Sequence, residues 1–79
     1  MKQPSPIHID PDILGGIPVF KGTRVPVESL FWHLAQGIPI EEFLLDFPSV
    51  TREQVMAAMK IASKIFSSPN ILALYENIT

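Results

Sequence analysis

The spacing of apolar positions along the chain changes at Pro26. Upstream, Ile7-His8-Ile9 alternates in the manner of a short edge strand. Ile17-Pro18-Val19-Phe20 reads as a second short strand, which Pro18 confines to an edge or a bulge. Asp10-Pro11-Asp12 and Gly15-Gly16 are turn signals, and Lys21-Gly22 is a tight turn. Thr23-Arg24-Val25 is expected to return as a strand beside Val19-Phe20. Residues 1–6, with Pro4 and Pro6, are expected to be extended and frayed.

Downstream the period is helical. Pro26, which lacks an N–H, suits a helix start, and the spacing predicts a helix over Val27–Gln36. Val27, Leu30, Phe31, Leu34 and Ala35 share one face of it, and Gly37 ends it. A short second helix over Ile40–Phe47 sets Ile40, Phe43, Leu44 and Phe47 against Glu41, Glu42 and Asp46, and Pro48 closes it. Thr51-x-x-Gln54 is a capping box, flanked by Val50 and Val55 at hydrophobic-staple positions. It predicts a third helix over Arg52–Phe66 with a core stripe of Val55, Ala58, Met59, Ala62 and Phe66. Ser67-Ser68-Pro69 breaks that helix, and Ile71–Ile78 is apolar enough for a short helix or an extended tail. The fold class is therefore mainly α: a short N-terminal β-hairpin element packed on a trihelical, winged-helix-like helix-turn-helix core. One domain over residues 7–66 is expected, followed by a tail or short helix over residues 67–79.

Length and composition sharpen this picture. Seventy-nine residues form one small domain, which buries only about 60% of its unfolded surface. With 47% apolar and only 18% charged residues, such a chain has more apolar surface than it can hide, and a homodimer or a standing protein partner is expected. The absence of cysteine excludes disulfides, thiol catalysis and Cys-based zinc modules, and fits a cytoplasmic protein. A net charge of −2 gives no compositional support to a freestanding nucleic-acid binder. No apolar run approaches a membrane span, so no membrane partner is expected.

Candidate chemistry is sparse. Gly16 to Thr23 contains Gly, Lys and Thr, but the Ile-Pro-Val-Phe between them is strand-like and no helix follows the glycines, so it is not a phosphate loop. His8 and His33 lack partners at metal-ligand spacing, so neither a metal nor any cofactor is expected, and both read as surface or hairpin-packing residues. Ser29 and His33 stand four residues apart on one helix, without an orienting acid, and do not form a catalytic pair. No catalytic residue is assigned. The outward face of the third helix offers Arg52, Gln54, Met56, Lys60 and Lys64 as candidate DNA-binding residues, with Arg52 and Gln54 near the end that reads base edges. An ordinary solvated helix face is the competing reading. Trp32 falls off the core face of its helix, which points to packing under the hairpin or to a protein contact. With Ile61, Ile65, Ile71, Leu72, Leu74 and Tyr75 it makes a candidate partner or dimer surface.

The string Gly22-Thr23-Arg24-Val25-Pro26-Val27, followed by Gly37, Glu41-Glu42, Phe47-Pro48 and Thr51-x-Glu53-Gln54-Val55, resembles the domain-of-unknown-function family numbered four hundred and thirty-three. Ile9-Asp10-Pro11 and Gly16-Ile17-Pro18-Val19 are similar to that family's opening. The resemblance implies a dimeric helix-turn-helix domain with an N-terminal β element. It further implies the antitoxin of a type II toxin–antitoxin pair, whose partner is a PIN-like ribonuclease toxin. A helix-turn-helix regulator of operator DNA is the alternative. Gly22, Thr23, Arg24 and Pro26 are the family-motif residues, Arg24 being expected to pair with Asp10, Asp12 or a helix C-terminus. Pro39 departs from the family pattern, replacing the usual Ser or Thr cap of the second helix.

Overall fold

We describe residues 5–78 of a computed structural model of the chain. Most of the segment read as frayed, residues 1–4, lies outside them, as does Thr79. The protein is mainly helical, with a small antiparallel sheet at its N-terminal end. Strand β1 (Ile7–His8) pairs with β2 (Val19–Phe20), and Ile7 faces Phe20 while His8 faces Val19. Four helices follow: α1 (Val27–Ala35), α2 (Ile40–Asp46), α3 (Arg52–Phe66) and α4 (Ile71–Ile78).

Local chemistry explains the connections. The Asp10 carboxylate accepts the Asp12 N–H at 2.9 Å and its carbonyl accepts the Ile13 N–H, turning the chain out of β1. The expected return strand over Thr23-Arg24-Val25 is not formed. Thr23 Oγ1 donates to the Phe20 carbonyl at 2.8 Å and accepts the Val25 N–H at 3.0 Å, which curls this segment into a stapled turn. Only one bridge follows, Val19 opposite Pro26, where the Phe20 N–H donates to the Val25 carbonyl and the Val27 N–H to that of Pro18, while the Val25 N–H that would extend the ladder is held by Thr23. The partner of β2 is β1 instead.

Helix α1 ends in a Schellman motif: the Gly37 N–H reaches the Leu34 carbonyl, and the Ile38 N–H reaches that of His33. Gly37 takes φ 81°, which a side chain would strain. Helix α2 starts at Pro39 without a side-chain cap. The Thr51–Gln54 capping box is complete at the start of α3.

Phe20, Val27, Leu30, Phe43, Val50, Val55 and Ala58 form one buried cluster, each of the larger side chains contributing about 1.5–3 kcal/mol on burial. Phe31, Leu34, Ile40, Leu44 and Phe47 pack around it. Three members of the expected stripes lie elsewhere. Ala35 and Met59 are exposed, and Phe66 is 74% exposed. Helix α3 is about 22 Å long at about 1.5 Å per residue. Only Val55 and Ala58, in its first half, are buried, so its second half outruns the core. His33 packs between helices rather than at the hairpin. Its ring meets Phe43 and Phe47 edge-on at 5.3 and 5.6 Å. Its Nδ1–H donates to the Ser29 carbonyl at 2.6 Å, so the Ser29 hydroxyl is not its partner.

Gln54 joins the two halves of the domain. Its Oε1 accepts the Thr51 N–H, while its Nε2 donates to the Lys21 carbonyl at 2.9 Å. We predict that Gln54→Ala lowers stability by about 1–2 kcal/mol, more than the loss of about 1 kcal/mol from Thr51→Ala, because it also breaks a tertiary tie. Thermal unfolding followed by circular dichroism checks this. Equal losses for the two variants would show that the Lys21 tie contributes nothing.

Candidate functional site

The second half of α3 and all of α4 lie beyond the core. Between them Ser67 Oγ donates to the Lys64 carbonyl, and the Ser68 and Ile71 N–H groups reach the carbonyls of Ile65 and Ser68. This turn brings Ile71, Leu72, Leu74 and Tyr75 to line one concavity of about 490 Å³ with Ile65 and Phe66. Ile65 also walls a neighbouring groove of about 360 Å³, with Ile61, Phe31, Ile17 and Pro18. Glu28 is the one charged residue of that groove. Ile17, Pro26 and Glu28 in turn border a smaller hollow that Trp32 lines. The surface residues expected from sequence, Trp32, Ile61, Ile65, Ile71, Leu72, Leu74 and Tyr75, thus lie along one run of adjoining hollows. Trp32 is 58% exposed rather than packed under the hairpin, and its ring meets the His33 edge at 5.5 Å. Ile17, Pro18 and Phe31 belong to this surface too, and sequence reasoning missed them. Ile17 and Pro18 were absorbed into a strand, and Phe31 into the core stripe.

The candidate DNA-binding residues fare differently. Arg52 donates a charged hydrogen bond to Glu41, joining the first turns of α3 and α2. The Arg52 hydrogen bond, then its charge, holds the Glu41 carboxyl below the ordinary glutamate range. The same contact raises the Arg52 pKa. Gln54 is engaged at both ends of its amide. Met56, Lys60 and Lys64 remain exposed.

Arg24 is exposed and joins neither Asp10 nor Asp12, as Asp10 pairs with His8 at 3.8 Å. The other motif residues have structural work: Gly22 takes φ 80°, Thr23 staples the turn, and Pro26 caps α1. Among the described residues no three His, Cys, Asp or Glu side chains gather as a metal site. No helix among them is long and apolar enough to cross a membrane.

These features define a small helix-turn-helix domain capped by a two-stranded sheet and carrying an extensive apolar surface. The chain belongs to the family described as Protein of unknown function (DUF433), whose sequence profile matches residues 7–62. The crystal structure of a DUF433 member protein from Anabaena variabilis ATCC 29413 is 35% identical, with a TM-score of 0.68 over 76% of this chain and 59% of that one. Uncharacterized protein y4eO of Sinorhizobium fredii (strain NBRC 101917 / NGR234) is 46% identical over 48 residues, which are 61% of this chain and 22% of that protein. The chain therefore spans less than two thirds of the length of either relative.

The lowered Glu41 pKa fixes the sign of one pH effect. A carboxylate held below its ordinary range stabilises the fold while ionised. Its contribution is present above about pH 4 and is lost as pH falls through the lowered value. Wild type is expected to lose more thermal stability than Glu41→Gln between about pH 6 and about pH 3. Because the pair is exposed the difference is small, and added salt narrows it. Parallel acid limbs for the two proteins would remove Glu41 from the account.

Proposed function

We propose that this chain is the antitoxin of a type II toxin–antitoxin pair and neutralises a PIN-like ribonuclease by binding it. The observation that carries the reading is the apolar surface from Ile17 and Phe31 through Ile61 and Ile65 to Leu72 and Leu74. A chain this small cannot cover that surface from within, and a protein partner removes it from water. The acidic α2 face, with Glu42 and Asp46 exposed, favours a partner whose own surface is basic for RNA binding. The free antitoxin is a homodimer in this reading. A cytoplasmic location follows from the partner proposed.

A regulator reading base edges through α3 is the weaker alternative. Arg52 and Gln54, nearest the base-reading end, are both committed within the fold.

Removal of residues 70–79 tests the proposal. Among the described residues of this segment none belongs to the buried cluster or to the side chains packed against it, so the truncated domain should keep its helical circular dichroism and cooperative unfolding. It should no longer co-purify with, or silence, the ribonuclease encoded by the adjacent gene. Full neutralisation by the shortened chain would refute the role given to α4. Failure of the intact chain to bind that ribonuclease would refute the antitoxin reading itself.

A further inference from the structure

A neighbouring face carries three of the cations that the fold leaves unpaired; Lys64, also unpaired, lines neither of its hollows. Lys21 and Arg24 flank the Gly22-Thr23 turn and line an open concavity of about 810 Å³ with His8 and Ser49. Lys21 also lines the adjoining concavity of about 480 Å³, to which α3 contributes Lys60. Lys21 therefore links Arg24 on one side to Lys60 on the other. Among the described residues none of these three cations makes a side-chain hydrogen bond or an ion pair. Arg52, by contrast, is neutralised by Glu41. Two carboxylates lie close by. Glu53 borders the second concavity and acts electrostatically on Arg52, while Asp10 pairs with His8.

The turn is held in place before any ligand arrives. Thr23 Oγ1 staples it internally, the Lys21 N–H donates to the Pro6 carbonyl, and Gln54 grips the Lys21 carbonyl from α3. Fixed cations spread over two shallow, open hollows match a repeating anion better than a single buried one. Neither hollow contains a Phe, Tyr or Trp side chain, and the one ring present, His8, is paired with Asp10, so successive single-stranded bases have no stacking platform there. The carboxylates of α1 and α2, namely Glu28, Glu41, Glu42 and Asp46, line neither hollow. The net charge of −2 thus conceals a segregation of sign.

We propose that Lys21, Arg24 and Lys60 form a contact site for the phosphodiester backbone of duplex DNA, with the stapled turn acting as a wing beside α3. This assigns the free Arg24 of the family motif to phosphate, and it moves the expected DNA contact from Arg52 and Gln54 to the turn. It is independent of the antitoxin reading, because the apolar surface uses none of these three residues.

The test is fluorescence anisotropy of the full chain with a labelled random-sequence DNA duplex, over a range of salt concentration. Three phosphate contacts give a slope of log K against log salt of about −2.7 per chain, or a loss of roughly forty-fold between about 50 and about 200 mM. The Lys21→Ala/Arg24→Ala double variant should show a slope near −0.9 and a loss of only about fourfold. Arg24→Lys should retain the wild-type slope, and so should Arg52→Ala, with all variants matching wild type by circular dichroism. The proposal is overturned if wild type shows no salt-dependent binding. It also fails if the double variant keeps the wild-type slope, or if single-stranded RNA of the same length binds more tightly than the duplex. A double variant that binds DNA normally but loses a protein partner would likewise overturn it, in favour of an acidic protein ligand.

Discussion

Phe20 and Phe43 meet with ring centroids 6.2 Å apart, and the remaining elements take their places around that pair. Phe20 arrives from the sheet and Phe43 from α2. Val27 and Leu30 from α1, Val50 from the turn, and Val55 and Ala58 from α3 complete the same cluster. A domain of this length supports one such cluster and no second. Any residue that cannot reach it stays at the surface, however apolar it is. The exposure of Met59, Ile61, Ile65 and Phe66 is the direct result. They lie on a helix that continues after its neighbours have ended.

Polar contacts hold this arrangement together. The capping box starts α3, the Gln54 amide binds the Lys21 turn to it, and the Arg52–Glu41 pair spans the helix-turn-helix. His33, the one histidine near other rings, spends its Nδ1–H on a backbone carbonyl. Two groups of side chains with no such structural task stand out on the surface, and Ile61 borders both. One is apolar and runs from Ile17 to Leu74. The other is cationic and surrounds the Lys21–Arg24 turn.

The extent of the family match bears on this division. The profile ends at residue 62, where α3 has left the core. The Lys21–Arg24 turn lies inside the matched segment, whereas Ile65, Phe66 and α4 lie outside it. The shared part of the chain therefore carries the fold and the cationic turn. The part beyond it supplies the outer end of the apolar surface.

Much of the fold was legible in the sequence, because its signals are local. The Thr51–Gln54 box marked the start of α3, Gly37 the end of α1, and Pro26 the switch from strand to helix, each by chemistry confined to a few neighbouring residues. Helical period also grouped Val27, Leu30, Phe43, Val55 and Ala58, which the structure buries together. Tertiary structure decided what period cannot encode. It gave Val19-Phe20 a ladder with Ile7-His8 and only a single bridge on the other side, because Thr23 curls the nearer segment and takes the Val25 N–H. It left Phe66 on the stripe but outside the core, because a helix face is buried only as far as its neighbours reach. It turned Arg52 and Gln54, outward by their spacing, toward Glu41 and the Lys21 carbonyl, partners 11 and 33 residues away. Periodicity says which residues share a face, and only the packed chain says what stands opposite that face.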